Sequence, residues 1–74
     1  MGFTVTVAEL FAFLRSKGFT IKTGQGRHGT KAVKGNLKIP IPIHGGGTLA
    51  KGTVASVLVD AGYTGNDFIE WRRQ

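Results

Sequence analysis

Residues 30–43 read TKAVKGNLKIPIPI and decide the fold, because they contain two extended segments joined by a tight turn. The run Lys34-Gly35-Asn36 between them is typical of a β-hairpin turn. The second segment alternates between two faces, with Leu37, Ile39, Ile41 and Ile43 predicted to face the core and Lys38, Pro40, Pro42 and His44 to face outward. Prolines two residues apart remove amide donors from the same side of a strand. We therefore expect an edge strand that cannot pair on that side.

The residues before this hairpin predict a helix followed by another strand. Thr6-Val7-Ala8-Glu9 matches a capping box, and apolar residues then recur at helical spacing up to Leu14. Lys17-Gly18 provides a basic last turn and a glycine stop. From Phe19 the period changes to two, which predicts a strand with Phe19, Ile21 and Thr23 on one face.

The residues after the hairpin predict two further helices. Thr48 is expected to cap a helix over residues 49–61 that ends at Gly62, although its valines leave a strand as the competing interpretation. The predicted apolar stripe of this helix consists of Ala50, Val54, Val57, Leu58 and Ala61. A second capping box, Thr64-Gly65-Asn66-Asp67, opens a short helix in which Phe68 and Trp71 are apolar anchors.

The order of elements indicates an α+β fold. We predict one domain over residues 1–74, in which a three-stranded antiparallel sheet carries two helices on one face, in the order α-β-β-β-α, plus a short C-terminal helix. This arrangement resembles the double-stranded-RNA-binding domain. A chain of 74 residues has a thin core, so a bound partner would help to stabilise it.

Composition excludes several classes of protein. The chain contains no cysteine, which rules out disulfides, cysteine-based zinc sites and cysteine nucleophiles. No apolar run approaches the roughly 20 residues of a membrane span, and the N-terminus lacks the form of a secretory signal. We expect a soluble, cytoplasmic protein.

Charge is distributed unevenly along the chain. The net charge is +6, and the basic residues between Leu10 and Lys51 have no acidic residue among them. They are Arg15, Lys17, Lys22, Arg27, Lys31, Lys34, Lys38 and Lys51. A segment of one sign is typical of a surface that binds nucleic acid or an acidic protein, and a solvated basic face is the alternative.

Residues 24–29 read GQGRHG and match the glycine pattern of dinucleotide-binding loops. That interpretation fails, because more strand follows and no acidic residue occurs between Glu9 and Asp60. HGGG at residues 44–47 matches a lipase oxyanion loop, but the Gly-x-Ser-x-Gly nucleophile motif is missing. A metal site would have only His28 and His44 in the strand region. We expect no metal and no other cofactor.

His28 remains the candidate for chemistry. Arg27 and Lys31 should lower its pKa and keep the imidazole neutral at pH 7. A neutral imidazole could take the proton from an RNA 2′-hydroxyl as that oxygen attacks the adjacent phosphorus. The alternative is a solvated histidine in a loop.

The sequence resembles the HicA (YcfA-like) toxin family along nearly its whole length. The resemblance lies in ELFAFLRSKGF, the glycine-histidine motif of residues 24–28, IPIPIHGGG, and LAKGTVASVLVDAGY. The KGT and AGY segments are the more specific ones. Arg27 replaces the serine that usually precedes the histidine, and Gly29 follows it.

The resemblance implies a fold like that of double-stranded-RNA-binding domains and a ribosome-independent ribonuclease that acts on mRNA. It assigns the catalytic role to His28, which a HicB antitoxin would cover. His44 lies near a position where relatives often carry histidine, and it is a candidate assisting residue.

Around His28 we expect a loop formed by Gly24, Gly26 and Gly29, and phosphate contacts from Lys22, Arg27, Lys31 and Lys38. The free protein is expected to be a monomer and the antitoxin complex a hetero-oligomer. Two other functions stay open: a non-catalytic RNA-binding module on the same basic face, and a purely protein-binding role against an acidic partner.

Overall fold

The computed structural model describes residues 5–23, 29–42 and 47–74. Within these ranges the chain forms strands and helices in the order β1 (Val5–Thr6), α1 (Val7–Ser16), β2 (Thr20–Thr23), β3 (Thr30–Lys34), β4 (Leu37–Pro40), β5 (Thr48–Leu49), α2 (Lys51–Ala61) and α3 (Gly65–Arg72). The predicted α+β class and α-β-β-β-α order are confirmed.

Strands β2, β3 and β4 form an antiparallel meander with β3 in the centre. The backbone amide of Ile41 donates to the carbonyl of Thr30 at 3.0 Å, so the alternate positions 40 and 42 direct their backbone nitrogens away from β3. Both of those positions are proline. The predicted edge strand is therefore confirmed, and its free side lacks two amide donors.

The start of α2 differs from the sequence prediction. Thr48 does not cap this helix, because Thr48 and Leu49 form β5, which pairs antiparallel with β1. The helix begins at Lys51, and Ala50 occupies the N-cap position without a side-chain hydrogen bond. This second, two-stranded sheet joins residues more than 40 positions apart, so local patterns could not indicate it.

The first capping box is formed as predicted. The Glu9 amide donates to Thr6 Oγ1 at 3.1 Å, and the Thr6 amide donates to Glu9 Oε1 at 3.0 Å. The helix ends where Gly18 adopts a φ of 94°, a conformation that favours glycine. Glu9 also forms an ion pair with Arg72 at 3.0 Å, which links the start of α1 to the end of α3.

The end of α2 and the start of α3 agree with the sequence prediction. Residues 51–61 are helical rather than extended, and Gly62 ends α2 with a φ of 90°. At the start of α3, the Asp67 amide donates to Thr64 Oγ1 at 3.1 Å and the Thr64 amide donates to Asp67 Oδ2 at 2.9 Å. The second predicted capping box is thus confirmed.

The core lies on one face of the meander. The buried apolar side chains are Val5, Leu10, Phe13, Leu14, Phe19, Ala32, Ile39, Ile41, Val54, Val57, Leu58 and Phe68. Helix α1 packs against β2 and helix α2 against β4. Leu37, predicted to face the core, is 42% exposed because β4 begins there, beside the hairpin turn. Ala50 in the predicted stripe of α2 is likewise exposed.

Phe13 is the centre of an aromatic cluster between α1 and the C-terminal helices. Its ring makes edge-to-face contacts with Tyr63, Phe68 and Trp71, with centroid distances of 5.4, 5.3 and 5.6 Å. Such pairs add about 0.5–1.5 kcal/mol each beyond the burial of area. Helix α3 is therefore held by a specific packing arrangement around one buried ring.

Two glycines in and after α2 give a matched test of the helix end. A Cβ at Gly52 or at Gly62 would meet no atom within 4 Å, but only Gly62 has a positive φ. We expect Gly62→Ala to lower the free energy of unfolding by about 1 kcal/mol. Gly52→Ala should raise it by about 0.5 kcal/mol, because alanine favours the helix. Urea denaturation checks both values, and equal effects of the two substitutions would contradict the assignment.

Glu9 gives a prediction about pH. Its pKa lies below the ordinary value of 4.5, chiefly because the carboxylate accepts the Thr6 backbone hydrogen bond, and further because of Arg72; desolvation opposes these effects. Glu9→Ala should cost about 1 kcal/mol at pH 7. Because the folded-state pKa is the lower one, this stabilisation is present above pH 4.5 and is lost as pH falls through the folded-state pKa.

Denaturation of wild type and Glu9→Ala from pH 7 down to pH 3 measures this difference. Glu70→Ala is the control, since Glu70 is 71% exposed and its 3.7 Å ion pair with Arg73 lies on the surface. A gap between wild type and Glu9→Ala that stayed constant at acid pH would contradict the role of the carboxylate.

Candidate nucleic-acid interface

The face of the sheet opposite the core carries three lysines, one from each strand. Lys22 on β2 lies directly opposite Lys31 on β3, and Lys38 on β4 lies opposite Val33. Residues directly opposite each other share a face, as do residues two apart on one strand. Lys22, Lys31 and Lys38 therefore share the outer face, and all three are exposed. We call these three residues the lysine face.

No carboxylate competes with these charges on the meander. The four acidic residues of the chain, Glu9, Asp60, Asp67 and Glu70, all lie on helices. Each acidic side chain thus belongs to the helical layer, while the sheet carries only positive charge. A face of one sign that is accessible to solvent attracts polyanions.

The pair Lys22 and Lys31 is unfavourable for the free protein. Directly opposite residues on antiparallel strands have Cβ atoms about 4.5–5.5 Å apart, and like charges there are destabilising. A polyanion bound across the two side chains would remove this repulsion. The pairing of Lys22 with Lys31 therefore carries a small electrostatic cost in the free sheet.

Other basic residues of the same charged segment have different surroundings. Lys34 Nζ donates to the Lys17 carbonyl at 2.9 Å, at the end of α1, and lies 5.5 Å from the Phe19 ring centre. Lys17 Nζ lies 5.4 Å from the ring centre of Phe13 and 5.6 Å from that of Tyr63. The sequence placed Lys17 and Lys34 in the same basic segment but not among the predicted phosphate contacts, and the structure shows both packing around α1.

Several of the predicted site residues lie outside the described residues. These are Gly24, Gly26, Arg27, His28 and His44. Of the predicted loop glycines, Gly29 is described, half-buried directly before β3.

The described ends of the two segments that carry the histidines lie at the same end of the sheet. Segment 24–28 joins Thr23 to Gly29, and Thr23 lies opposite Thr30. Segment 43–46 follows Pro42, whose neighbour Ile41 is hydrogen-bonded to Thr30. The next row of the sheet consists of Lys22, Lys31 and Pro40. Two members of the lysine face thus border the end of the sheet to which His28 is connected.

A groove between β4 and α2 was not predicted from the sequence. It has a volume of about 360 Å³, and we call it the β4–α2 groove. Its described lining consists of Pro40, Pro42, Gly52, Thr53, Ser56, Val57 and Asp60. The spacing of four between Gly52, Ser56 and Asp60 was the available signal, because it places them on one side of a helix.

Two properties of the described residues bear on other kinds of site. In residues 5–23, 29–42 and 47–74, no three histidine, cysteine, aspartate or glutamate side chains come together in a way that could hold a metal ion. Over the same ranges, no helix combines the length and the apolar character that crossing a membrane requires.

The chain matches the model of a known protein family. The family model of the HicA toxin of bacterial toxin-antitoxin systems matches residues 7–63. This range begins with α1 and ends just after α2, so it includes the whole meander and the segments of both histidines. Searches of curated proteins and of solved structures gave no significant match.

The repulsion within the lysine face gives a testable consequence for stability. Lys31→Gln should raise the free energy of unfolding by about 0.3 kcal/mol at low ionic strength, because it removes the charge opposite Lys22. The gain should shrink at about 1 M salt, where charges are screened. Lys38→Gln is the matched control, since Lys38 lies opposite Val33. An equal gain from both substitutions would contradict the pairing.

Proposed function

Because the chain belongs to the HicA toxin family of bacterial toxin-antitoxin systems, we propose that it is a metal-independent endoribonuclease that cleaves mRNA with His28 as the catalytic residue. Membership of the family makes the protein the toxin of such a system. The reaction, the RNA substrate and the role of His28 are the content of the proposal.

The observation that carries the proposal is the position of the lysine face. Lys22 and Lys31 lie opposite each other in the row next to the end of the sheet from which segment 24–28 extends. RNA phosphates bound by these lysines would therefore lie beside the segment that contains His28. Binding of the phosphate backbone positions a strand without reading its sequence, which suits a nuclease that acts on many messages.

The chemistry requires a group that accepts a proton and cations that stabilise phosphate charge. In the proposed step, neutral His28 takes the proton of a 2′-hydroxyl, whose oxygen forms a bond to the adjacent phosphorus. The bond from phosphorus to the 5′ oxygen breaks, and the leaving oxygen receives a proton from the imidazolium or from water. Arg27 and Lys31 stabilise the negative charge that develops on the phosphoryl oxygens.

The proposed partner is a HicB-type antitoxin in the cytoplasm, where mRNA is present. An antitoxin that carried acidic residues opposite the lysine face would exclude RNA from it, because both ligands would use the same cations. Free toxin would then be a monomer, and the inhibited form would be a complex of the two chains.

Cleavage of RNA in the presence of EDTA tests the proposal. Purified wild type and His28→Ala are incubated with a single-stranded RNA, after circular dichroism has shown that both are folded. We expect the substitution to lower the cleavage rate by at least about 100-fold, the contribution typical of a general acid or base. His44→Ala is the comparison variant: a role limited to assistance predicts a rate loss of less than about ten-fold, well below that of His28→Ala.

Three other results would contradict the proposed nuclease. If His28→Ala cleaves as fast as wild type, His28 is not the catalytic residue. If wild type and His28→Ala bind RNA equally and neither cleaves it, the protein is a binding module. If the isolated protein neither binds nor cleaves RNA, its basic surface binds a protein partner.

A further inference from the structure

We propose that the β4–α2 groove binds one base of the RNA and selects guanine through the Asp60 carboxylate. This inference rests on the proposed function, because it takes RNA as the ligand of the lysine face. It adds a sequence preference, which the lysines cannot provide since phosphates are the same in every nucleotide.

The groove lies at one end of a row that crosses the sheet. On the outer face, this row consists of Lys22, Lys31 and Pro40 on three neighbouring strands. Pro40 also lines the groove. Neighbouring strands are about 4.8 Å apart, so the row crosses the sheet within a distance that a few nucleotides can span. An RNA strand whose phosphates contact the two lysines would therefore reach the groove at the edge of β4.

The edge of β4 that borders the groove pairs with no other strand in the part of the chain that the structure describes. A further strand cannot pair there, because positions 40 and 42 are prolines without amide donors. Both prolines are exposed and line the groove. Their rings offer an apolar surface against which a base can lie, while α2 forms the other wall.

Asp60 is placed unfavourably for a structural role. It lies one residue before the end of α2, where the helix dipole disfavours a negative charge. Its side chain is exposed, and among the described residues it has no ion pair or hydrogen bond. A carboxylate beside a path for phosphates also repels the ligand. These costs are explained if the carboxylate binds a group that donates hydrogen bonds.

Guanine fits this carboxylate better than the other bases do. Its Watson–Crick edge presents two adjacent donors, N1–H and the 2-amino group, and an ionised carboxylate accepts two parallel hydrogen bonds. Adenine and cytosine place an acceptor nitrogen beside their amino group, and uracil flanks its N3–H with two carbonyl oxygens. The hydroxyls of Thr53 and Ser56, which also line the groove, can donate to the remaining acceptors of the base.

Binding of short single-stranded RNAs tests the inference directly. The His28→Ala protein is used so that the RNA stays intact, and fluorescence anisotropy measures its affinity for oligonucleotides with one guanine in a uridine background. Replacement of that guanine by uracil should weaken binding about ten-fold, as expected for the loss of one bidentate contact. Replacement by inosine, which keeps N1–H but lacks the 2-amino group, should weaken it by a smaller factor. Asp60→Asn, added to the His28→Ala protein, should abolish the discrimination between guanine and inosine, because a single amide oxygen replaces the two carboxylate oxygens.

Glu70→Gln is the matched control, because it removes the same charge from an exposed position on α3, away from the groove. Its preference for guanine should equal that of the His28→Ala parent. Equal affinity for all the oligonucleotides, or discrimination against inosine that survives Asp60→Asn, would overturn the inference while leaving the proposed nuclease intact.

The remaining outcomes separate the two proposals. Preference for guanine without cleavage by wild type would support the base site and overturn the proposed nuclease. Absence of RNA binding overturns both. If Asp60→Asn weakens only the complex with the antitoxin and leaves RNA binding unchanged, the groove belongs to a protein interface and the inference is wrong.

Discussion

Burial of the meander on one face alone is the constraint on which the rest of the structure depends. Two helices cover one side of three short strands, and Ala32, Ile39 and Ile41 fill the space between them with at most 3% exposure. Because strand residues alternate between faces, burying these side chains places their neighbours in solvent. The lysine face is a direct consequence of this alternation. A second helical layer over the outer face would have excluded lysines that lie opposite one another.

Sequence patterns predicted features that depend on a few neighbouring residues and missed those that join distant ones. Both capping boxes could be read directly, because each needs only a threonine and an acid three residues later. Thr48 was misassigned as a cap because its actual partner, Thr6, lies on another strand. The bond from Lys34 to the Lys17 carbonyl spans 17 residues, and no local pattern indicates it.

In the candidate site, too, local features could be predicted from the sequence and features that join distant residues could not. Period-two alternation was enough to place Lys22 and Lys38 on outward positions, but only the register shows that Lys31 shares their face and lies opposite Lys22. The β4–α2 groove requires the packing of a helix against a proline-bearing edge, which the sequence does not specify. His28 was selected from its loop motif and family resemblance, and its role stays a prediction because it lies outside the described residues.

Helix α3 lies beyond residues 7–63, the part of the chain that matches the family model. It nevertheless contacts the family core through the rings around Phe13 and through the ion pair between Arg72 and Glu9. Trp71, the single tryptophan of the chain, lies within this contact and far along the sequence from the lysine face. Its intrinsic fluorescence is therefore a built-in optical probe of whether α3 is docked, and it reports on that helix without any added label.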